Sequence, residues 1–195
     1  VNNVAIGYQA MRGLDGTASS NIAIGYRTMG SGIGGAGSIT TGNHNVAVAS
    51  FALNNITTGD YNYAIGYYSL GDNTVGNDNV AMGYKALYEQ NPSSDGTTMQ
   101  NTAVGAASGN DTTTGIKNTF IGESAGYSNT TGSKIVAIGH NALYAQNPSG
   151  EVDTYNIGVG EKAAFSLSTG IKNVILGAEA AGSLTTGSNN IVIGH

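Results

Sequence analysis

The chain repeats one short phrase, Asn-x-Ala-Ile-Gly, and this repetition restricts its possible folds more than any other feature. The phrase occurs eleven times, closing at Gly7, Gly25, Ala49, Gly66, Gly83, Gly105, Gly122, Gly139, Gly160, Gly177 and Gly194. Its commonest spacing is 17 residues, and longer spacings of 24, 22 and 21 residues recur at every third copy. A fixed period of this kind is typical of proteins in which each repeat forms one coil stacked on the next.

Each copy carries a short alternation of large and small apolar residues. Val or Ile lies one and three positions before the closing residue, as at Val4 and Ile6, and a small residue such as Ala5 usually lies between them. Strict alternation predicts a short strand with two distinct faces, whereas a helix would place apolar residues three or four positions apart. We expect Val and Ile to fill the interior and the small column to face outward.

The rest of each repeat predicts a second, shorter strand and a corner. Ala, Ser or Thr three positions after the closing residue is often followed by Leu or Met, as at Ala52 and Leu53. The unit then ends on Thr-Thr-Gly or a variant, where we expect glycine to supply a positive φ. These glycines are Gly42, Gly59, Gly76, Gly115, Gly132, Gly170 and Gly187.

Together these features predict an all-β parallel β-solenoid of about eleven coils of about 17 residues each. Residues 1–195 would form a single repeat domain, with insertions near residues 30–42, 88–100 and 144–155. Because the chain opens in the middle of a repeat, we expect it to be an excerpt of a longer fibrous chain.

Asparagine lies four positions before the closing residue in ten of the eleven copies, and Ile135 is the exception. Stacked coils would align these amides into a hydrogen-bonded ladder. A catalytic residue would not recur ten times, so we predict a structural role. The ladder residues are Asn3, Asn21, Asn45, Asn62, Asn79, Asn101, Asn118, Asn156, Asn173 and Asn190.

The column of small residues leads to a prediction about assembly. A strip of Ala on an outer face is poor at binding water and allows another backbone to approach closely. A thin coil also buries little core on its own. Covering the strip with identical chains would remedy both, so we predict a homotrimer.

Several phrases resemble known fibrous repeats. "NVAIG", "NIAIG" and "NNIVIG" resemble the head repeats of trimeric autotransporter adhesins, while "SNTTGSKIVAIGHNAL" and "ITTGDYNYAIGYYSL" are similar to repeats of bacteriophage tail fibres. The resemblance implies a left-handed β-roll assembled as a trimer, located outside the cell on a virion tail fibre or cell-surface appendage. The long unit and its insertion at every third coil favour the fibre.

Composition excludes several other classes of function. The net charge is −5 and the seven basic residues are scattered, so we expect no nucleic-acid partner. No apolar run approaches the roughly 18 residues of a membrane span, and no cysteine is present for disulfides or thiolate metal sites. The carboxylates are dispersed, and His44, His140 and His195 occur singly, so we expect no enzyme activity, metal or cofactor.

Loops on a rigid scaffold commonly carry recognition, so the insertions are the candidate binding site. The second and third insertions share the wording "ALYEQNPS" and "ALYAQNPS". Candidate recognition residues are Tyr88, Asn91, Pro92, Tyr144, Asn147 and Pro148. A stripe of Tyr8, Tyr26, Tyr67 and Tyr84 could stack on sugar rings or cover the corners of the core.

These features predict a structural and adhesive fibre segment, the rigid trimeric shaft or head of a tail fibre or adhesin, which contacts a cell-surface glycan or protein receptor. Two alternatives remain. Repeated Thr pairs would suit an ice-binding or other surface-binding solenoid. A polysaccharide-active solenoid enzyme would need acids clustered in a groove.

Overall fold

The computed structural model describes residues 2–14, 17–30 and 41–195, and none of these residues is helical. Eleven three-residue strands form one parallel sheet in chain order, which confirms the predicted parallel β-solenoid. The strands are β1 (Val4–Ile6), β2 (Ile22–Ile24), β3 (Val46–Val48), β4 (Tyr63–Ile65), β5 (Val80–Met82), β6 (Thr102–Val104), β7 (Thr119–Ile121), β9 (Val136–Ile138), β11 (Ile157–Val159), β12 (Val174–Leu176) and β13 (Ile191–Ile193). A second, two-stranded sheet joins β8 (Gly132–Ser133) to β10 (Val152–Asp153).

Successive coils stack with equivalent residues over one another. The middle residue of each strand pairs with the middle residue of the next, as in the series Ala23, Ala47, Ala64 and Ala81. Insertions therefore bulge outside the sheet and leave its register intact. The first insertion lies largely outside the described residues.

The two faces of the sheet are the reverse of the prediction. The small column lies inside, with Ala47, Ala64 and Ala81 fully buried, while Ile65 is 41% and Ile191 77% exposed on the outer face. The reason is the thinness of each coil. Large side chains four positions after the closing residue already fill the interior, so the strand has room to add only a small one.

Phe120 shows how tightly the interior is shared. It is a fully buried aromatic residue in the alanine column. The position opposite, which is Leu87 or Leu143 in other coils, is here Gly126, and Gly109 occupies it one coil earlier. A Cβ added to Gly126 would lie 2.2 Å from the ring of Phe120, and one added to Gly109 would lie 2.5 Å from it. Phe120 on the strand is thus accommodated by glycines on the turn.

The second strand predicted after the closing residue is wrong. Those residues form a turn in which the second and fourth positions are left-handed, with φ of 60° at Phe51, 47° at Leu53, 57° at Tyr68 and 48° at Leu70. Left-handed residues bend the chain and cannot form a strand. Hydrogen bonds still join successive turns, as from Leu53 N to the carbonyl of Ser69 at 3.0 Å.

The role predicted for the Thr-Thr-Gly glycines is also wrong, because their φ angles lie outside the left-handed region. Gly42, Gly59, Gly115 and Gly170 instead allow the close approach of neighbouring coils. A Cβ added to Gly115 would lie 2.3 Å from the carbonyl oxygen of Gly132, and one added to Gly170 would lie 2.1 Å from that of Gly187. Any side chain there would push the coils apart.

The asparagine column forms a network of hydrogen bonds from coil to coil, with an interruption at Ile135. Asn62 N donates to Asn45 Oδ1 at 2.9 Å, and Asn62 Nδ2 donates to the carbonyl of Gly76 at 2.8 Å. Ile135 N donates to the preceding Asn118 at 3.0 Å, but its own side chain offers no amide to the next coil. There Asn156 N lies 3.5 Å from Thr154 Oγ1 instead.

One interior column changes from apolar to polar along the rod. The residue seven positions after the closing residue is Ile56, Leu167 or Leu184 near the two ends. In the middle it forms what we call the polar seam: Asn73, Gln90, Thr112, Asn129 and Gln146, all fully buried. Within the described residues, Gln90 Nε2, Thr112 Oγ1 and Asn129 Oδ1 of the seam have no hydrogen-bond partner.

Candidate functional site

The second and third insertions form the two sides of one groove, of about 650 Å³. Residues from the two intervening coils form its floor. The short pairing of β8 with β10 attaches the third insertion to this floor. The sides are Pro92, Ser93, Ser94 and Thr97 on the second insertion and Glu151, Val152 and Asp153 on the third, and the floor is Thr114, Ile116 and Ser133.

Hydrogen bonds hold both insertions against the body of the rod. Thr131 Oγ1 donates to the carbonyl of Gly150 at 2.6 Å in the third insertion. In the second insertion Asp95 Oδ1 accepts a hydrogen bond from Thr58 Oγ1. Within that insertion Thr97 Oγ1 donates to the carbonyl of Ser94 at 2.7 Å. These hydrogen bonds hold the two sides of the groove in place against the rod.

The predicted asparagines and prolines lie at the base of each insertion. Asn91 Oδ1 accepts a hydrogen bond from Thr74 Oγ1, and Asn147 Oδ1 accepts one from Thr130 Oγ1, both at 2.7 Å. Each asparagine thus ties the start of an insertion to the preceding coil. Pro92 and Pro148 are both buried.

The predicted tyrosines lie in aromatic rows that are separate from the groove lining. The ring of Tyr88 packs edge-on against Tyr68, with centroids 5.7 Å apart, and Lys85 Nζ lies 4.9 Å from its centroid. Tyr144 is stacked between Tyr127 and Phe165, at 5.2 Å from each.

Of the six predicted recognition residues, Pro92 alone lines the groove. The sequence pattern selected residues that the two insertions share, and these residues attach the insertions to the rod or pack in the aromatic rows. Most of the groove is formed instead by residues in which the insertions differ, such as Ser94 and Glu151, and by the coils between them. The regular repeat could have identified the floor, because it places Ile116 and Ser133 between the two insertions.

A charged pair flanks the groove on the third insertion. Lys134 Nζ donates to Asp153 Oδ2 at 2.5 Å and to the Tyr155 hydroxyl at 3.0 Å. The hydrogen bond from Lys134 lowers the pKa of Asp153 below its ordinary value, and the same bond raises the pKa of Lys134. Across the described parts of the chain, no group of three or more His, Asp or Glu residues could hold a metal ion.

The tyrosines of the predicted stripe stack on one another. The rings of Tyr8 and Tyr26 are 5.4 Å apart and inclined by 13°, and those of Tyr67 and Tyr84 are 5.9 Å apart and inclined by 5°. Each of these rings therefore has one face covered by its neighbour. This geometry favours covering the corners over stacking on sugars.

The histidines remain apart. The ring of His44 stacks on Tyr61 at 5.0 Å, with an angle of 4°. His140 Nδ1 lies 3.7 Å from Glu161 Oε1, on the coil that follows. His195 is exposed at the last strand. These contacts place the first two on the surface of the rod, outside the groove.

The largest unpartnered feature is the outer face of the sheet, which we call the outer strip. It consists of the first and third residues of all eleven strands, two columns side by side, and none of them is fully buried. Polar residues interrupt it only at Thr102 and Thr119, and Tyr63 is its one aromatic member. Exposed apolar surface this continuous is typical of interaction sites.

Comparison of the chain with models of known protein families, with curated protein sequences and with solved structures finds no match. No segment of the described chain forms a helix with the length and hydropathy that a membrane crossing requires. The functional inference therefore rests on the outer strip and the groove.

Proposed function

We propose that this chain is a rigid segment of a trimeric, adhesive fibre outside the cell, the shaft or head of a phage tail fibre or a surface adhesin. The observation that carries the proposal is the outer strip. A single chain leaves these Val and Ile side chains in water along the whole sheet, with Ile65 41% and Ile193 73% exposed. Identical strips facing one another would bury them at about 25 cal/mol per Å².

The shape of the strip supports three copies. Each strand presents two outward side chains, such as Val46 and Val48, separated by one that points inward. In a parallel trimer each chain meets two neighbours, so one column can face each neighbour along the shared axis. The resemblance of the repeats to trimeric fibres supports the same arrangement.

The stacked coils support a mechanical role. The parallel sheet runs the length of the rod, and the asparagine network follows it with an interruption at Ile135. Each coil is bonded to the next through strand and turn. Eleven coils at about 4.8 Å each give a rod of about 50 Å. Such a rod can hold a binding tip at a fixed distance from a surface.

The geometry gives less support to an ice-binding surface. The first hydroxyl of the Thr pairs is engaged within the rod, as Thr57 Oγ1 donates to the carbonyl of Thr74 at 3.0 Å and Thr113 Oγ1 to that of Thr130 at 3.1 Å. The second hydroxyl is also engaged at Thr58 and Thr131, so these pairs offer no regular array of free hydroxyls. The geometry also gives less support to a polysaccharide-active enzyme. The carboxylates in the groove are Glu151 and Asp153, and because Asp153 is paired with Lys134, the groove lacks the cluster of free acids that such an enzyme would need.

The experiment is a measurement of molar mass by light scattering, at micromolar concentration. We expect three times the 19.6 kDa of one chain. Ile65→Asp, which places a charge in the outer strip, is expected to give monomers. Leu14→Asp is the matched control, because Leu14 is exposed to the same degree (42% against 41%) but lies outside the strip. A strictly monomeric wild-type chain would overturn the proposal.

A further inference from the structure

We propose that the groove between the second and third insertions binds a neutral saccharide of one or two pyranose rings. This inference deepens the proposed adhesive function and rests on it, since a fibre that attaches to surfaces needs a recognition site. The groove itself is formed within one chain, so its occupancy can be measured whether or not the chain assembles.

The size of the groove fits a small ligand. Its volume of about 650 Å³ lies within the range of about 300 to 1,000 Å³ that is usual for such sites. The two insertions start three coils apart, which is about 14 Å along the rod. Their side chains narrow this gap to a slot that suits a ring or two, and it is too short for a long polymer to be enclosed.

The lining offers both kinds of contact that a sugar makes. Ser93 and Ser94 place exposed hydroxyls on one side, and the exposed carboxylate of Glu151 lies on the other without an ion pair among the described residues. These groups can exchange hydrogen bonds with sugar hydroxyls. Ile116, which is half-buried on the floor, provides apolar surface for the C–H face of a ring.

The charges favour a neutral saccharide over an acidic one. Glu151 and Asp153 both line the groove and would repel a carboxylate or sulfate. Lys134, the nearest cation, is already bonded to Asp153 and to Tyr155. A basic ligand would need a cluster of free carboxylates. Glu151 is the one free carboxylate among the described residues of this lining, so the groove does not favour a basic ligand.

The sides of the groove are anchored before any ligand arrives. Thr131 bonds to Gly150 of the third insertion, and Thr58 bonds to Asp95 of the second. A preformed site loses little conformational entropy on binding, so even a few hydrogen bonds can give measurable affinity.

The repeat supplies a matched pair of variants for the test. The sequence Thr-Gly-Ile-Lys-Asn occurs at residues 114–118, on the groove floor, and again at 169–173, outside it. Ile116 N and Ile171 N donate equivalent hydrogen bonds at 3.0 Å, to Ser133 Oγ and Ser188 Oγ. Ile116→Trp would fill the groove, whereas Ile171→Trp makes the same change outside it.

The experiment is ligand-observed NMR followed by calorimetry on the whole chain. The probes are lactose, maltose, cellobiose and diacetylchitobiose, with digalacturonic acid as the acidic probe. We expect at least one neutral probe to bind, its affinity to fall at least tenfold in Ile116→Trp, and Ile171→Trp to bind as the wild type does. Binding of the acidic probe alone, binding of no probe, or binding that persists unchanged in Ile116→Trp would overturn the proposal.

A second variant and a mass measurement keep the result interpretable. Ser94→Trp narrows the groove from an exposed position, so it tests the site even if Ile116→Trp fails to fold; unchanged binding in this variant would also overturn the proposal. Molar mass is recorded on the same samples. A trimer that binds no saccharide overturns the groove alone, whereas a monomer that binds one overturns the fibre assembly alone.

Discussion

The inner and outer faces of the eleven-stranded sheet are built from opposite kinds of residue. The inner face is a column of alanines, such as Ala64, that are fully buried, and the outer face carries Val and Ile, such as Ile65, that remain partly exposed. In most half-buried sheets the larger apolar side chains face the core. Here the larger ones face away from the chain's own core, which supports the proposed burial of this face by identical chains.

This difference between the two faces arises because side chains from the turns fill the interior of each coil. Leu53, Leu70 and Leu87 project from the left-handed turns into the coil and are fully buried. Because the coil is only seventeen residues long, this leaves room for a methyl group on the strand. The sizes of the side chains along a strand therefore show which face is buried only when the residues opposite the strand are known.

The largest effect is expected where the inner face departs from alanine. Phe120→Ala should lower the free energy of unfolding by about 3–5 kcal/mol, because the turn opposite is glycine and cannot fill the cavity. Phe120→Ala combined with Gly126→Leu should recover much of this loss, since Leu143 adopts a left-handed φ of 49° at the equivalent position. Urea denaturation measures both. No recovery in the double variant would contradict the size compensation described above.

A smaller effect on stability is expected from enlarging the inner side chain or shortening the outer side chain of one strand. Ala64→Leu should destabilise the chain by about 1–3 kcal/mol through overpacking. Ile65→Ala should change the stability of an isolated chain by less than about 1 kcal/mol, because its side chain is partly exposed. The comparison needs denaturation under conditions where the chain is monomeric. An equal loss of stability in Ala64→Leu and Ile65→Ala would contradict the distinction between the two faces.

The polar seam tests the inner face further. Thr112→Val should raise the free energy of unfolding by about 1 kcal/mol, because Thr112 Oγ1 is buried without a partner. Thr113→Val is the neighbouring control and should lower it by about 1 kcal/mol, since Thr113 Oγ1 donates to the carbonyl of Thr130 at 3.1 Å. Thermal denaturation would show the opposite signs. Destabilisation by Thr112→Val would mean that the hydroxyl has a partner, such as a buried water.

The smallest effect is expected at the exposed Lys134 and Asp153 pair, on neither face of the sheet. Asp153 has its pKa lowered below its ordinary 3.8, so its contribution is present above that value and is lost as pH falls through the lowered pKa. Lys134 has its pKa raised above 10.5, so its contribution is present below that value and is lost as pH rises through the raised pKa. Asp153→Asn should therefore lower the thermal midpoint slightly at pH 7. At pH 2 the two proteins should converge, and a difference that persisted there would contradict this assignment.

The periodicity of the sequence was enough to predict the solenoid, because seventeen-residue spacing requires equivalent residues to stack. It also predicted the columns of Ala64 and Asn62, but not which way the alanine column faces. That depended on left-handed φ angles at residues such as Phe51 and Leu53, which side-chain alternation does not encode. The groove was missed for a related reason: shared wording selected Asn91 and Asn147, which anchor the insertions, while most of the lining comes from the coils between them and from residues in which the insertions differ.

The most direct test of the two faces uses the absence of cysteine from the chain. Ala64→Cys and Ile65→Cys introduce single thiols on the inner and outer faces, and their rates of alkylation are measured in native and dissociated protein. We expect Cys at position 64 to be protected in both states, and Cys at position 65 to be protected in the native trimer, exposed on dissociation, and able to form disulfide-linked dimers on oxidation. Rapid alkylation at position 64, or alkylation at position 65 at the unfolded rate in native protein, would contradict the account.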